Sequence, residues 1–402
     1  MSPVSISWKN LKCNKLTFLL NCLLVAFGTG ILTILLLASA QIKDKLQNNA
    51  KDIDLVVGAK GSPLQLILSS IYYIDFPTGN VPLEKAEELS RNPMVKKAVP
   101  LALGDNYNGF RITGTDAGFI GLYGLKLQAG KFWEKDFEVT LGSNVAAAEK
   151  LKPGDHFFGA HGLTSNQDEH KDHPYIVIGV LSPQGNVTDN LVLTNIASIW
   201  KMHGQNEEAE EAHKEGQDEP KPAREITCLL IQYRSPMSII MFPQMVNKST
   251  NMQAASPALE SGRLFSLIGV GVDTLQWFAI LIMFIASVSV FVSLYNSLKE
   301  RKYDLAVMRI MGASQNKLFL VIILEGIILT LIGSVFGIFL GHFALHFIGS
   351  SQASTQAKMT GMFFIPQEGY LFAAGIAIGL VAAIIPAIEA YRSDIAKIIS
   401  KH

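Results

Sequence analysis

The sequence predicts an α-helical membrane protein of four spans, one followed by three, with a large mixed α/β domain outside the membrane between the first span and the second. Three observations predict this. Apolar residues gather in four long stretches almost free of charge, residues 41–268 between the first two stretches have ordinary polarity, and lysine and arginine cluster at one end of every span.

The 402 residues carry 34 acidic and 34 basic side chains, and this balance gives no reason to expect nucleic acid as a partner. A short amphipathic segment, residues 1–15, precedes the first stretch. Leu16 to Ala40 is 25 residues without a charge, and Leu275 to Leu294, inside a second span placed at 272–295, is another 20. Either suffices to cross about 30 Å of hydrocarbon as a helix. The third span, 318–347, holds one acid, Glu325, and the fourth, 370–388, holds none. "ASA" at Ala38–Ala40 resembles a signal-peptidase site, but an apolar core this long exceeds the usual signal peptide and reads as an uncleaved anchor. Orientation follows from the basic residues. Lys9, Lys12 and Lys15, the loop at 296–317 with five more, and the tail at 389–402 with Arg392, Lys397 and Lys401 are placed in the cytoplasm; the 348–369 loop has only Lys358 and is placed outside with 41–268.

The external domain opens on "DLVVGAKGSPLQ", which superficially suggests a phosphate loop. The lysine precedes the second glycine and Pro63 follows the serine, so the Gly-x4-Gly-Lys-Ser/Thr spelling fails, and the segment lies outside, where ATP is not expected. It reads instead as strand, turn (Gly58–Pro63) and helix. Beyond it, "PLEKAEELSRNP" reads as a helix, and "FRITG", "EVTLG", "YIVIGVL", "NLVLT" and "ITCLLIQY" read as strands. Of three cysteines, Cys13 is assigned to the cytoplasm, Cys22 to the membrane and Cys228 to the exterior, so no intrachain disulfide is expected.

In the 296–317 loop, Tyr303, Val307, Ile310 and Met311 recur at helical spacing as an apolar stripe, with Lys302 and Arg309 on another face and Gly312 as the stop. Gly326, Gly333, Gly337 and Gly341 fall on one face of the third span, and Gly375 and Gly379 repeat the device in the fourth, as expected for closely packed helices. Glu325 lies where charge is costly and is expected to pair, anchoring the loop helix.

The runs "FRITGTDAGFIGLYGLKLQAGKFWEKDFEVTLGSNVAAAEKLKPGDHF" and "YIVIGVLSPQGNVTDNLVLT", together with "ERKYDLAVMRIMGASQNKLFLVIILEG", resemble the MacB, LolC/LolE and FtsX-like group of ABC transporter permeases, and the likeness covers nearly the whole chain. Two departures stand out. Asp304 occupies a position usually held by Glu, and Asp394 one often held by Pro. The resemblance implies an external domain of the MacB periplasmic core type and a bacterial inner-membrane location. It also implies a cytoplasmic ABC ATPase dimer that binds the ATP, and a second permease copy or paralogue. Glu300, Arg301, Tyr303, Asp304, Val307, Met308, Ile310, Met311 and Gly312 would form the segment that docks on the ATPase. The implied cargo is a lipoprotein, lipid or peptide, with a periplasmic adaptor or lipoprotein as a further partner. The rival expectation is a non-transporting regulator of a periplasmic enzyme.

Six of the nine histidines fall between residues 156 and 213. His161, His170, His173, His203 and His213 stand among many acids, seven of them between Glu207 and Glu219, and are candidate ligands for weakly held zinc, which would make the chain part of a zinc-linked transport system. The spacing matches no catalytic or structural zinc pattern.

Overall fold

The computed structural model describes residues 2–161, 173–203, 224–351 and 359–392. Two compact units emerge: Met1–Ile42 with Ile268–Gln352 and Lys358–His402, and Lys43–Leu267 with Ala353–Ala357.

The first unit contains helices at Pro3–Cys13, Lys302–Ile310, Gln315–Ser351 and Glu368–Tyr391, with most of Lys15–Asn49 and Pro257–Glu300. Four of these helices are long and apolar enough to cross a membrane. Both helices that lead to the second unit overrun their apolar stretches. The first continues through Gln41–Asn49, and the second starts at Pro257, well before the apolar run at Leu275. Hydropathy marks the hydrocarbon slab, whereas a helix ends only where a cap or breaker stops it, and neither overrun contains an interior proline or a glycine cap.

Glycines decide how the spans approach. A Cβ added at Gly333 would meet Val25 Cβ at 2.8 Å, and one at Gly341 would meet Thr33 Cβ at 2.7 Å, both on the first span. A Cβ at Gly326 would lie 2.6 Å from the Gly379 carbonyl oxygen of the fourth span. The third span therefore packs between the first and fourth with backbones in close approach. Ser289 of the second span donates a 2.7 Å hydrogen bond to Asn21 Oδ1 of the first.

The second unit is built on thirteen described strands: β1 Leu55–Ala59, β2 Val81–Pro82, β3 Val95–Tyr107, β4 Phe110–Thr115, β5 Leu127–Gly130, β6 Glu138–Leu141, β7 His156–Phe157, β8 Ala160–His161, β9 Tyr175–Leu181, β10 Leu191–Asn195, β11 Glu225–Ile226, β12 Cys228–Tyr233 and β13 Met252–Ala255. Eleven form one mixed sheet in the order β13-β1-β12-β3-β4-β10-β6-β9-β5, with β7 on β9 and β8 on β3; β2 and β11 pair separately. Pairs β10–β4 and β6–β9 are parallel and the others antiparallel.

The sheet is buried on both faces, so its strands read as nearly continuous apolar runs with side chains alternating between two cores. Leu55, Val57, Leu229, Ile231 and Val192 enter one core, closed by Ala86, Leu89, Val145, Ile199, Trp200, Phe242 and Val246 from flanking helices. Val56, Cys228, Leu230, Leu191 and Leu193 enter the other, closed by Leu66, Ile67, Phe119 and Leu122. Burial pushes the Cys228 thiol up to about 12. In "GAKGSP" Ser62 caps the helix Pro63–Ser70, its side chain accepting from the Gln65 N–H with proline at the first turn. The stretch is a strand-turn-helix corner, with β1 set between β12 and β13.

Candidate functional site

The short helix Lys302–Ile310 has two apolar faces. Leu305 and Ala306 are buried, Leu305 packing with Leu298, Leu318, Ile322, Ala387 and Ala390, while Met308 is partly buried against the same cluster. Tyr303, Ile310 and Met311 are 50%, 64% and 75% exposed, and Val307 is half-buried beside them. The first face clamps the helix to the ends of three spans, and the second is left as an apolar strip on the surface.

Polar contacts fix both ends. Arg301, just before the first turn, donates from Nη2 to the Asn10 carbonyl at 3.1 Å and stands 3.6 Å from Glu325. Asn10 Nδ2 donates to Glu325 Oε1 at 2.6 Å, so the buried carboxylate has a hydrogen bond and a nearby guanidinium. Lys302 reaches Glu389 at the end of the fourth span, 2.9 Å away. At the other end Gly312 adopts φ +97°, its N–H donating to Arg309 O and that of Ala313 to Met308 O, a Schellman stop that needs a residue tolerant of positive φ. Asp304 is exposed in the first turn, where its charge suits the helix dipole. Glu300 ends the preceding span helix.

Sequence reasoning located the stripe and Glu325 but not Asn10, Lys302 as an ion-pair partner or Glu389. Ser7 and Asn10 lie on one face of helix Pro3–Cys13, and Ser7 Oγ donates to Val321 O at 2.9 Å. Two short polar side chains spaced by three in an otherwise amphipathic segment were the available signal.

Among the described residues, the candidate histidines are not gathered as a set. His173 stacks on Phe137 with ring centroids 5.0 Å apart. His203 follows helix Ile196–Met202, and its Nε2 lies 3.4 Å from Asp105 Oδ1; this hydrogen bond raises the imidazole above its usual range against the opposing effect of burial. The backbone of His161 pairs with Asp105 across β8 and β3. His170 and His213 lie outside the described residues. Among the described residues no group of three metal-ligating side chains is assembled.

Residues 18–241 match the MacB-like periplasmic core domain, and residues 277–395, which contain the whole loop helix and its anchors Arg301, Lys302, Glu325 and Glu389, match the FtsX-like permease C-terminal family. The chain belongs to the MacB/FtsX-like family of ABC transporter permeases. Among solved structures, the extracellular domain of the noncanonic ABC-type transporter YknZ from Gram-positive bacteria is 14% identical, with 51% of this chain and 99% of that one covered at a TM-score of 0.32. The periplasmic region of MacB from Actinobacillus actinomycetemcomitans is 10% identical, with 55% and 97% covered at a TM-score of 0.34. No curated protein matches the sequence. This permease is thus a membrane component of an ABC system, with four apolar helices and an external α/β domain.

Topology is directly measurable. With Cys13, Cys22 and Cys228 replaced, a cysteine at exposed Glu88 is expected to react with a membrane-impermeant thiol reagent in intact cells, and one at exposed Gln315 only after permeabilisation. The opposite labelling would invert the orientation.

Proposed function

We propose that the chain is the transmembrane subunit through which a separate cytoplasmic ATPase dimer, binding the ATP, drives movement of the external domain. In this reading it lies in the bacterial inner membrane beside a second permease copy or paralogue and acts on a lipoprotein, lipid or peptide cargo, with a periplasmic adaptor or lipoprotein as a further partner. The observation that carries the reading is the loop helix, held on one face by Leu305 and at its start by Arg301, Asn10 and Glu325, with an apolar strip turned outward. A helix anchored to three spans transmits a push applied to that strip instead of swinging under it. Both chain connections to the external unit are helical, Lys15–Asn49 and Pro257–Glu300, which suits them to carry motion outward.

The test is photocrosslinking in cells that co-express a candidate partner ABC ATPase. Benzoylphenylalanine at Ile310 is expected to capture that ATPase, and the same probe at Glu88 is not. No adduct from Ile310, Tyr303 or Met311 would remove the strip from the interface.

A further inference from the structure

We propose that the outward face of helix Pro3–Cys13 is a docking surface for an anionic phospholipid, in the leaflet at the lysine-rich end of the spans. The surface is independent of which cargo the permease acts on and of where its ATPase docks.

Two hydrogen bonds to the third span fix the depth of this helix. Ser7 Oγ donates to Val321 O at 2.9 Å, and Asn10 Nδ2 donates to Glu325 Oε1 at 2.6 Å. The apolar stretch of that span opens at Leu318. At 1.5 Å per residue the helix therefore sits about 5–10 Å inside the end of the stretch, the depth at which an amphipathic helix lies between headgroups and acyl chains. Ser7 and Leu11 are buried and Asn10 is half-buried, so the bundle takes up one face. The opposite face is open. Val4, Trp8, Lys12 and Lys9 are exposed on it, following one another in that order around the helix at about 100° per residue.

That order grades from apolar to basic. Trp8 meets Phe18 of the first span edge to face, with ring centroids 6.5 Å apart, so the apolar flank borders a span whose Leu16, Leu19 and Leu20 are turned out of the bundle. On the other flank Lys12 Nζ stands 5.1 Å over the Trp8 ring, Lys9 follows, and Lys15 opens the next helix. None of the three lysines forms an ion pair among the described residues, and the sequence holds no acid before Asp44. Lysines that only set orientation could stand anywhere in the tail. These stand beside an exposed tryptophan at headgroup depth, and from there their stems carry the ammonium groups out to lipid phosphates. Each lysine close to an anionic surface contributes about fivefold to binding. The apolar flank takes the acyl chain of the same lipid. Asn10, on the inner face, holds Glu325 and accepts from Arg301 through its carbonyl, so the lipid braces the helix that anchors the loop.

The full-length permease is reconstituted in nanodiscs of one phosphatidylcholine and phosphatidylglycerol mixture. Bromine is carried by the phosphatidylglycerol in one set and by an equal amount of phosphatidylcholine in the other. The emission lost in Trp8→Phe isolates Trp8 from Trp133, Trp200 and Trp277. Brominated phosphatidylglycerol should quench this component about threefold more than brominated phosphatidylcholine, and high salt should shrink the difference. Lys9→Gln/Lys12→Gln/Lys15→Gln should abolish the preference, and Lys9→Arg/Lys12→Arg/Lys15→Arg should keep it. The melting temperature checks the fold of each variant, and Lys12→Gln alone, expected to weaken the preference, serves if the triple glutamine variant does not accumulate. Equal quenching by the two lipids in the parent would leave the lysines a role in orientation only. Absence of quenching by either would mean that protein covers this face, and an undiminished preference in the glutamine variants would place the lipid elsewhere. Each of these three results would overturn the proposal.

Discussion

Ile310→Asp and Met311→Asp are each expected to abolish stimulation of the partner ATPase, by a hundredfold or more in apparent affinity, while leaving the permease folded. Both side chains are more than half exposed, so the isolated permease loses no core packing. The local cost is an acid at the C-terminal end of a helix, about 0.3–1 kcal/mol. Docking changes the balance, because a carboxylate then enters an apolar contact without a partner and costs several kcal/mol, and each 1.4 kcal/mol is a factor of ten. Leu305→Asp is the contrasting variant. Leu305 is 7% exposed in the cluster that seats the helix, so this change should lower the melting temperature as well as the coupling. Measured in proteoliposomes with the purified ATPase, full stimulation by both exposed-face variants would show that the strip is not where force enters.

Comparison of the loop with the rest of the chain shows why some features were legible in the sequence and others were not. The spans are readable because hydrocarbon imposes composition on about twenty consecutive residues, but the same signal is silent on the helical overruns Gln41–Asn49 and Pro257 onward, whose polar residues are ordinary for helices in water. Six strands, β1 among them, were readable as short apolar runs. The longest, β3, was not, since Lys96, Lys97 and Pro100 break its pattern. The proline is tolerated because its carbonyl accepts from Thr115 Oγ1 at 2.8 Å, so its backbone faces the side of β4 just where that pairing begins, at Leu101–Thr115, and no rung to β12 is lost.

The loop's exposed strip followed from spacing alone. Its anchor did not, because the Asn10–Glu325 hydrogen bond joins residues 315 apart, and a short polar side chain in a tail announces no partner. The histidines illustrate the same limit. Abundance between residues 156 and 213 was visible, whereas the nearness of His203 and of the His161 backbone to Asp105 comes from strand register and a helix end. Asp105, unremarked in "LGDNY", is the residue that the His203 imidazole reaches.

Gly337→Ala is expected to destabilise the permease by about 3 kcal/mol, and Gly337→Val to prevent it from accumulating as a folded protein. A Cβ at Gly337 would collide with Thr29 Oγ1 and would lie 2.5 Å from the Ala26 carbonyl oxygen and 2.9 Å from Ala26 Cα. The threonine is held by its own hydrogen bond to Val25 O at 2.9 Å, and the other two atoms are helix backbone, so relief requires the first and third spans to separate. Separation would also strip the neighbouring contacts at Gly333 and Gly341, which depend on the same spacing. Gly269→Ala and Gly271→Ala give the control. They too lie within a long helix, nothing stands within 4 Å of an added Cβ, and exchanging glycine for alanine there should be neutral or raise stability by up to about 1 kcal/mol. Melting in detergent, followed by the monodisperse fraction on gel filtration, should show opposite signs for the two sites. Adding Thr29→Ala to Gly337→Ala should recover only part of the loss, because the Ala26 backbone remains in the way; full recovery, or a Gly337→Ala protein that melts with the parent, would mean that the first and third spans do not meet along these glycines.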